Sequence, residues 1–345
     1  MDVLSSFEIP QGSNLVSPLG MVTKEPLLND FVLYLSTILS EIKARPNDTH
    51  EIYFSRQKLR EVRRAFSAMI LRGERALHQL SELICGHYFT AYQLSSVVVG
   101  EIDATKERFV LSQGLSAKDL YSTSDIDLGT RQLAKLRFTN GGKWSPASLV
   151  ANFVEYQPTE PNAMKIQKII SRIKAEEEIW NKVVDEIFDL DGMVRRDKQM
   201  SHLSQFVKDV FGIKIVVGSS VDVEPMHQSL FDARLELEHL ETKNYLTQDQ
   251  RKASGWAAMK SVVQWGGRTF EIQVQPLRNY YNEQQYLTTE SHAGFKSRRE
   301  TLRNEIAAKI PLFGFYQALL KWLFLAEAEP GQAPNYPGVK ILLSE

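Results

Sequence analysis

The chain has 345 residues, 43% of them hydrophobic and 24% charged, with a formal net charge of −1. That length suits two domains, or one domain with a large appendage, and the balanced charge excludes a surface built throughout for nucleic acid. The single cysteine, Cys85 in LSELICGHYF, excludes an intramolecular disulfide and a cysteine-rich metal site and reads as a small buried hydrophobe.

Residues 1–26 are punctuated by Pro10, Gly12, Pro18, Gly20 and Pro26 and read as loop. Their first residues, MDVLSSFEIPQG, lack the basic start and apolar core of a secretory leader. From Leu27 to Phe89 the pattern is helical, with Leu59, Val62, Phe66, Met69, Ile70, Leu77, Leu80, Leu83 and Ile84 near a 3.6-residue period. Val97 to Leu111 predicts a short hairpin, and Ser112 to Pro161 is mixed. A second long helix is expected from Asn162 to Asp189, its apolar side carrying Ile166, Ile169, Ile170, Ile173, Ile179, Trp180, Val183, Val184 and Ile187. A short helical piece over Met200–Lys208, a strand over Ile213–Val217 and a charged helical segment over Pro225–Thr242 follow. Helices are expected from Tyr281 to Phe324 and a loop-rich tail from Pro330. The most apolar stretch, Ile310 to Ala328, is broken by Gly314, Gln317 and Lys321, so no membrane span is expected and the cytosol is the expected location. The expected division is residues 1–155, a mainly helical region with a regulatory, oligomerising or autoinhibitory role; 156–328, a second domain; and 329–345, a tail.

The most informative stretch is Arg268 to Gln275, RTFEIQVQ. Thr269, Glu271, Gln273 and Gln275 alternate with Phe270, Ile272 and Val274, the period of a half-buried strand. Gly266-Gly267 before it signals a two-residue hairpin turn. That turn sets Trp265 opposite Arg268, Val262 opposite Glu271 and Lys260 opposite Gln273. Opposed residues share a face, so Lys260, Glu271 and Gln273 are expected to project together, with Ala258 and Trp256 continuing the face. Taken alone, the alternation describes only the wet side of a strand.

Its upstream company adds to it. Arg196-Asp197-Lys198 with Ser201 forms RxKxxS, and KDVFGIKIVV places Asp209 just before the Ile213–Val217 strand. Arg251-Lys252-Ala253-Ser254-Gly255-Trp256 comes next. Glu271-Ile272-Gln273-Val274 and then His292-Ala293-Gly294-Phe295-Lys296 complete the order. This succession, over Asn162 to Lys309, resembles the synthetase domain of the RelA/SpoT family, which makes the alarmone (p)ppGpp. The family's elements are R-x-K-x-x-S, D-x-x-G-x-R, K-x-x-G-Y-x-x-x-H, E-I-Q-I-R and a late H-x-x-Y-K.

The resemblance implies an α/β (α+β) fold, a nucleotidyltransferase-like mixed sheet flanked by helices, following a mainly helical N-terminal region. It implies a GTP pyrophosphokinase-like transfer from ATP to the 3′-hydroxyl of GDP or GTP, with Mg²⁺ as cofactor. Such chemistry needs charge neutralisation at the phosphates, a metal bridging them and deprotonation of the attacking hydroxyl. Arg196, Lys198, Ser201 and Lys208 then fall on the ATP side, where a solvated basic turn is the alternative. Asp209 and Glu271 resemble the two carboxylates that hold Mg²⁺, Glu271 also accepting the hydroxyl proton; by itself Asp209 reads as a turn or cap residue. Lys252, Gly255, Trp256, Lys260, Gln273, His292 and Lys296 fall on the acceptor side. There Trp256 stands for a base-stacking Tyr, or is a strand-edge core residue, and a lone His292 is as well explained by a structural hydrogen bond.

Four positions depart from the family. Lys260 stands where the family has His, Gln275 replaces the Arg of E-I-Q-I-R, Lys214 replaces the strand-entry Arg, and Phe295 replaces the Tyr before Lys296. The acceptor side is rewritten while both carboxylates remain. The resemblance therefore also admits a toxic relative that modifies the tRNA 3′ end or adenine nucleotides, to which the basic run Lys296, Arg298, Arg299, Arg303 and Lys309 is suited. A catalytically weak nucleotide sensor is the third reading. ATP and a guanine nucleotide are the expected partners, and a regulatory partner or self-association is assigned to the N-terminal region. Bifunctional relatives carry a hydrolase with a His-Asp pair, whereas no His here is followed by Asp, His50, His78 and His87 included.

Overall fold

The computed structural model describes residues 18–173, 176–188, 211–246, 257–288, 303–324 and 333–345. The fold is mixed α+β, and the chain divides into two compact units: Leu71–Ile173 with Phe211–Arg298, and Met1–Ile70 with Lys174–Val210 and Arg299–Glu345.

The second of these begins with helices α1 (Pro18–Val22) and α2 (Pro26–Ala44). Pro26 suits the first turn of α2, where its missing N–H would have had no partner. Leu28, Phe31, Val32, Leu35, Ile38, Leu39 and Ile42 then bury one stripe of that helix. Strand β1 (His50–Ser55) interrupts the expected helical run and pairs in parallel with β12 (Val339–Ser344), the only regular strand in the expected tail among the described residues. Helix α3 (Arg56–Tyr88) begins in this unit; α6 (Glu176–Ile187) and α9 (Pro311–Phe324) complete its helices. Trp180 of α6 stacks on Phe324 at 3.9 Å and tilts against Phe66 at 4.7 Å, so the apolar side expected around Trp180 is in the core.

The other unit is built on an eight-stranded sheet of order β3-β2-β6-β7-β8-β11-β10-β9. Its strands are β2 (Tyr92–Ile102), β3 (Arg108–Leu115), β6 (Ala147–Pro158), β7 (Ile166–Ile173), β8 (Phe211–Val217), β9 (Glu238–Asn244), β10 (Met259–Trp265) and β11 (Arg268–Pro276). A separate hairpin joins β4 (Phe138–Asn140) to β5 (Lys143–Ser145). The β8–β11 pair is parallel and the other pairs of the large sheet are antiparallel. The helices are α4 (Ala117–Ser122), α5 (Asp125–Leu133), α7 (Val223–Asp232) and α8 (Leu277–Thr288), with the second half of α3. Ser116 and Asp119 form a reciprocal capping box at α4, and the Ser124 side chain caps α5.

The β2–β3 hairpin, the β8 strand and the β10–β11 hairpin are where the sequence predicts them. Besides β1 within the expected helical run, two expectations change. Residues 162–189 are not one helix: their first half is β7, whose Ile169 and Ile170 are buried on opposite faces of the sheet. The 225–242 segment is helical only to Asp232 and then forms β9, whose polar residues fit a sheet edge. Strand β6, Ala147–Pro158, pairs along its length with β2. The helical piece expected over 200–208 lies outside the described residues. Among the described residues no helix is long and apolar enough to cross a membrane.

The sheet's two faces differ in content. One, here the front, buries Val97, Val99, Phe153, Ile170 and Val216 with Tyr280 of α8. The back carries Ile213, Ile215, Ile272 and Val274, all essentially inaccessible. Gly73 of α3 lies against the Phe211 ring at the start of β8.

Candidate functional site

The front of β10, β11 and β8 gathers the polar residues that sequence periodicity singles out. Gly266 and Gly267 have φ of +54° and +74°, the left-handed pair that a two-residue hairpin with strand-matched twist requires. The turn fixes the register expected from sequence: Trp265 with Arg268, Val262 with Glu271, and Lys260 with Gln273. Lys260 and Glu271 are therefore diagonal neighbours, and Lys260 Nζ lies 2.7 Å from Glu271 Oε2. The carboxylate side chain is 14% exposed and the lysine 27%, so the pair borders solvent without being immersed in it.

The parallel partner strand sets what surrounds Glu271. Gly212 is its register partner on β8, and Lys214 is the partner of Gln273. Gly212, having no side chain, places nothing beside the carboxylate. On the far side of Gly212, the next strand presents Arg172, which is exposed. Two strand spacings, about 10 Å, separate the backbones that carry Arg172 and Glu271. Lys214 forms an ion pair with Glu283 of α8, which also accepts a hydrogen bond from Gln275 Nε2 at 3.1 Å. Gln273 Nε2 in turn donates to Gln275 Oε1 at 2.7 Å. Burial lowers the Lys214 pKa, and the Glu283 carboxylate opposes that shift. Further along the same face, Lys168 donates to Glu155 at 2.8 Å and lies 4.7 Å from the Tyr280 ring centre, while the Tyr280 hydroxyl donates to Glu155 at 2.7 Å. Burial, then Glu155, raises the Tyr280 pKa, so this phenol stays a donor.

Of the residues proposed from sequence, the described structure brings Lys260, Glu271 and Gln273 together. Asp209, Arg196, Lys198, Ser201, Lys208, Lys252, Gly255, Trp256, His292 and Lys296 lie outside the described residues. Two of the departures acquire structural reasons. Gln275 is fully buried and links Gln273 to Glu283, so it is an interior connector and no open acceptor-side position. Lys214 answers Glu283, a charge on α8 that the sequence reading did not connect with this face. Arg172 was missed because its segment was expected to be helical. Strand assignment alone would have put it on the Gly212 row.

No family model matches the sequence, and no curated protein matches it significantly. Among solved structures, the chain is similar to small alarmone synthetase 1 from Bacillus subtilis, at 18% identity over 43% of this chain and 82% of that one, with a TM-score of 0.22. The smu.1046c protein of Streptococcus mutans UA159 gives 18% identity, 43% and 81% coverage and a TM-score of 0.23. The Bacillus subtilis synthetase bound to AMPCPP gives 15% identity, 42% and 73% coverage and a TM-score of 0.21. These are likenesses over less than half of the chain.

Proposed function

We propose that this chain is a Mg²⁺- and ATP-dependent pyrophosphokinase with a nucleotidyltransferase-like core, which acts in the cytosol on the 3′-hydroxyl of GDP or GTP to make (p)ppGpp. The observation that carries the reading is Glu271 on the sheet front, paired with Lys260 and set beside Gly212, with Arg172 and Lys214 on the same face. An acid among cations suits a nucleotide whose phosphates need neutralising and whose hydroxyl must lose a proton.

In this reading the acceptor 3′-oxygen attacks the β-phosphorus of ATP. The bond from that phosphorus to the oxygen bridging toward the α-phosphate breaks, and AMP leaves. Glu271 accepts the hydroxyl proton. Lys260 pairs with Glu271 in the free protein, and substrate phosphate competes with Glu271 for its ammonium. Arg172 supplies a guanidinium whose fork matches phosphate oxygens. Glu271 offers the hard oxygen donor that Mg²⁺ prefers, and Asp209, three residues before Gly212 in sequence, is the second assigned ligand. Bound there, Mg²⁺ would neutralise the transferring phosphates. Arg196, Lys198, Ser201 and Lys208 are assigned to ATP, and Lys252, Gly255, Trp256, Lys260, Gln273, His292 and Lys296 to the acceptor.

The test is transfer from γ-labelled ATP with Mg²⁺ to GDP, GTP, AMP or deacylated tRNA, with Glu271→Gln alongside. Label in guanosine tetra- or pentaphosphate, lost in Glu271→Gln by about 10²–10⁴-fold, is the expected result. Label in tRNA or adenine nucleotides instead would replace the acceptor. Absence of transfer to every acceptor, with nucleotide binding intact, would leave a sensor and overturn the enzyme assignment.

A further inference from the structure

On the back of the sheet, away from the Glu271 row, three ligating side chains converge in the interior. Glu74 and His78 lie one helical turn apart on α3 and so share a face, and Asp125 opens α5. His78 Nε2 is 3.0 Å from Asp125 Oδ1 and 4.0 Å from Glu74 Oε1, and the three donor atoms all lie within 4.8 Å of one another. Donors sharing a tetrahedral ion with bonds of about 2.0–2.2 Å sit roughly 3.3–3.6 Å apart, between those two observed separations.

We propose that Glu74, His78 and Asp125 bind a divalent transition-metal ion of the zinc type, a structural site that ties α3 to α5 independently of the proposed transfer reaction. The side chains are 3%, 1% and 5% exposed, so water does not screen the two carboxylates. Two carboxylates held this close in a dry interior call for compensating positive charge. A proton supplies one unit of that charge, whereas a divalent ion supplies two and cancels both carboxylates beside a neutral imidazole.

The surroundings match what a metal-binding histidine needs. His78 Nδ1 lies 3.0 Å from the Tyr156 hydroxyl and 3.4 Å from Ser171 Oγ. Either oxygen can accept the Nδ1 proton, leaving the Nε2 lone pair turned toward Asp125 and Glu74. Asp125 is held from its own backbone: its N–H donates to Glu74 Oε1, and its carbonyl accepts from the Asn152 side chain.

The test is the metal content of the full chain produced in zinc-supplemented medium, read by plasma mass spectrometry after gel filtration. His78→Gln, Asp125→Asn and Tyr156→Phe are compared, with circular dichroism checking that each folds. Stoichiometric zinc is expected, lost in His78→Gln and Asp125→Asn, with affinity reduced about 10–100-fold in Tyr156→Phe. A cobalt-substituted sample of the unaltered chain should show the visible bands of a four-coordinate nitrogen and oxygen site, a second oxygen of one carboxylate completing the three named donors, a readout that does not depend on a variant folding. Metal-free protein whose melting temperature ignores added Zn²⁺ would overturn the proposal. So would zinc that persists undiminished in His78→Gln, or cobalt bands of a six-coordinate aqueous ion.

Discussion

In the proposed transfer Glu271 acts through its carboxylate, which pairs with Lys260 at 2.7 Å. Glutamine keeps the size of that side chain and one acceptor oxygen but loses the charge that pairs with Lys260, so Glu271→Gln should lower folding stability by about 1–3 kcal/mol while removing the carboxylate assigned as proton acceptor. Urea denaturation separates that stability from the loss of transfer. Arg172 makes a different prediction because it is exposed and contributes charge without shaping the core. Arg172→Ala should raise the nucleotide KM by about 10–100-fold, the size of one or two lost charge-assisted hydrogen bonds, and leave the melting curve unchanged. An unchanged KM would remove Arg172 from the nucleotide site. Lys260 and Gln273 were legible beforehand because a two-glycine turn leaves a single register, and register fixes which side chains meet. Gln275 was not: sequence separated it from Glu283, and α8 brings the two together.

The elements show where local pattern succeeds and where it misleads. Residues Ile166, Ile169, Ile170 and Ile173 repeat at the spacing of a helix face, yet they form β7. Strand β7 is buried on both faces only over Ile169–Ser171 and exposed at Gln167 and Arg172, so it shows no clean alternation, and branched isoleucines fit a pleat well. The charged residues of β9 misled in the opposite sense, since an edge strand presents much of its surface to water. Strand β7 and the polar edge β9 were thus hidden, whereas β8 and the half-buried β11 were clear. Helix α3 offers a test of packing against propensity. Alanine normally gains about 1 kcal/mol over glycine inside a helix. At Gly73, however, an added Cβ would come within 2.0 Å of the buried Phe211 ring. Overpacking costs about 1–3 kcal/mol, so Gly73→Ala should lower stability overall. A higher denaturation midpoint would show that the ring yields freely.

The whole molecule carries its pH dependence in groups taken out of water. His227 of α7 is buried beside Ser261, and desolvation, then the nearby His239, lowers its pKa. The unfolded chain therefore binds this proton more readily than the folded one. Its contribution is fully present above the unfolded pKa of about 6.5 and declines by up to about 1.4 kcal/mol per pH unit below it, levelling off beneath the folded pKa. Denaturation at pH 7.5 and 5.5 should show that slope in the native protein and a shallower one in His227→Gln; equal slopes would assign the dependence elsewhere. The two units are also interleaved along the chain: each is assembled from segments separated by residues of the other. The β1–β12 pair gives this arrangement a time. His50 is joined to Val339, and at about 5–20 residues per second the ribosome needs roughly 15–60 s to pass from one to the other. Throughout that interval the hydrogen-bonding edge of β1 that takes β12 has no partner from its own chain. Until translation reaches β12, that edge is open to pairing with a strand of another chain.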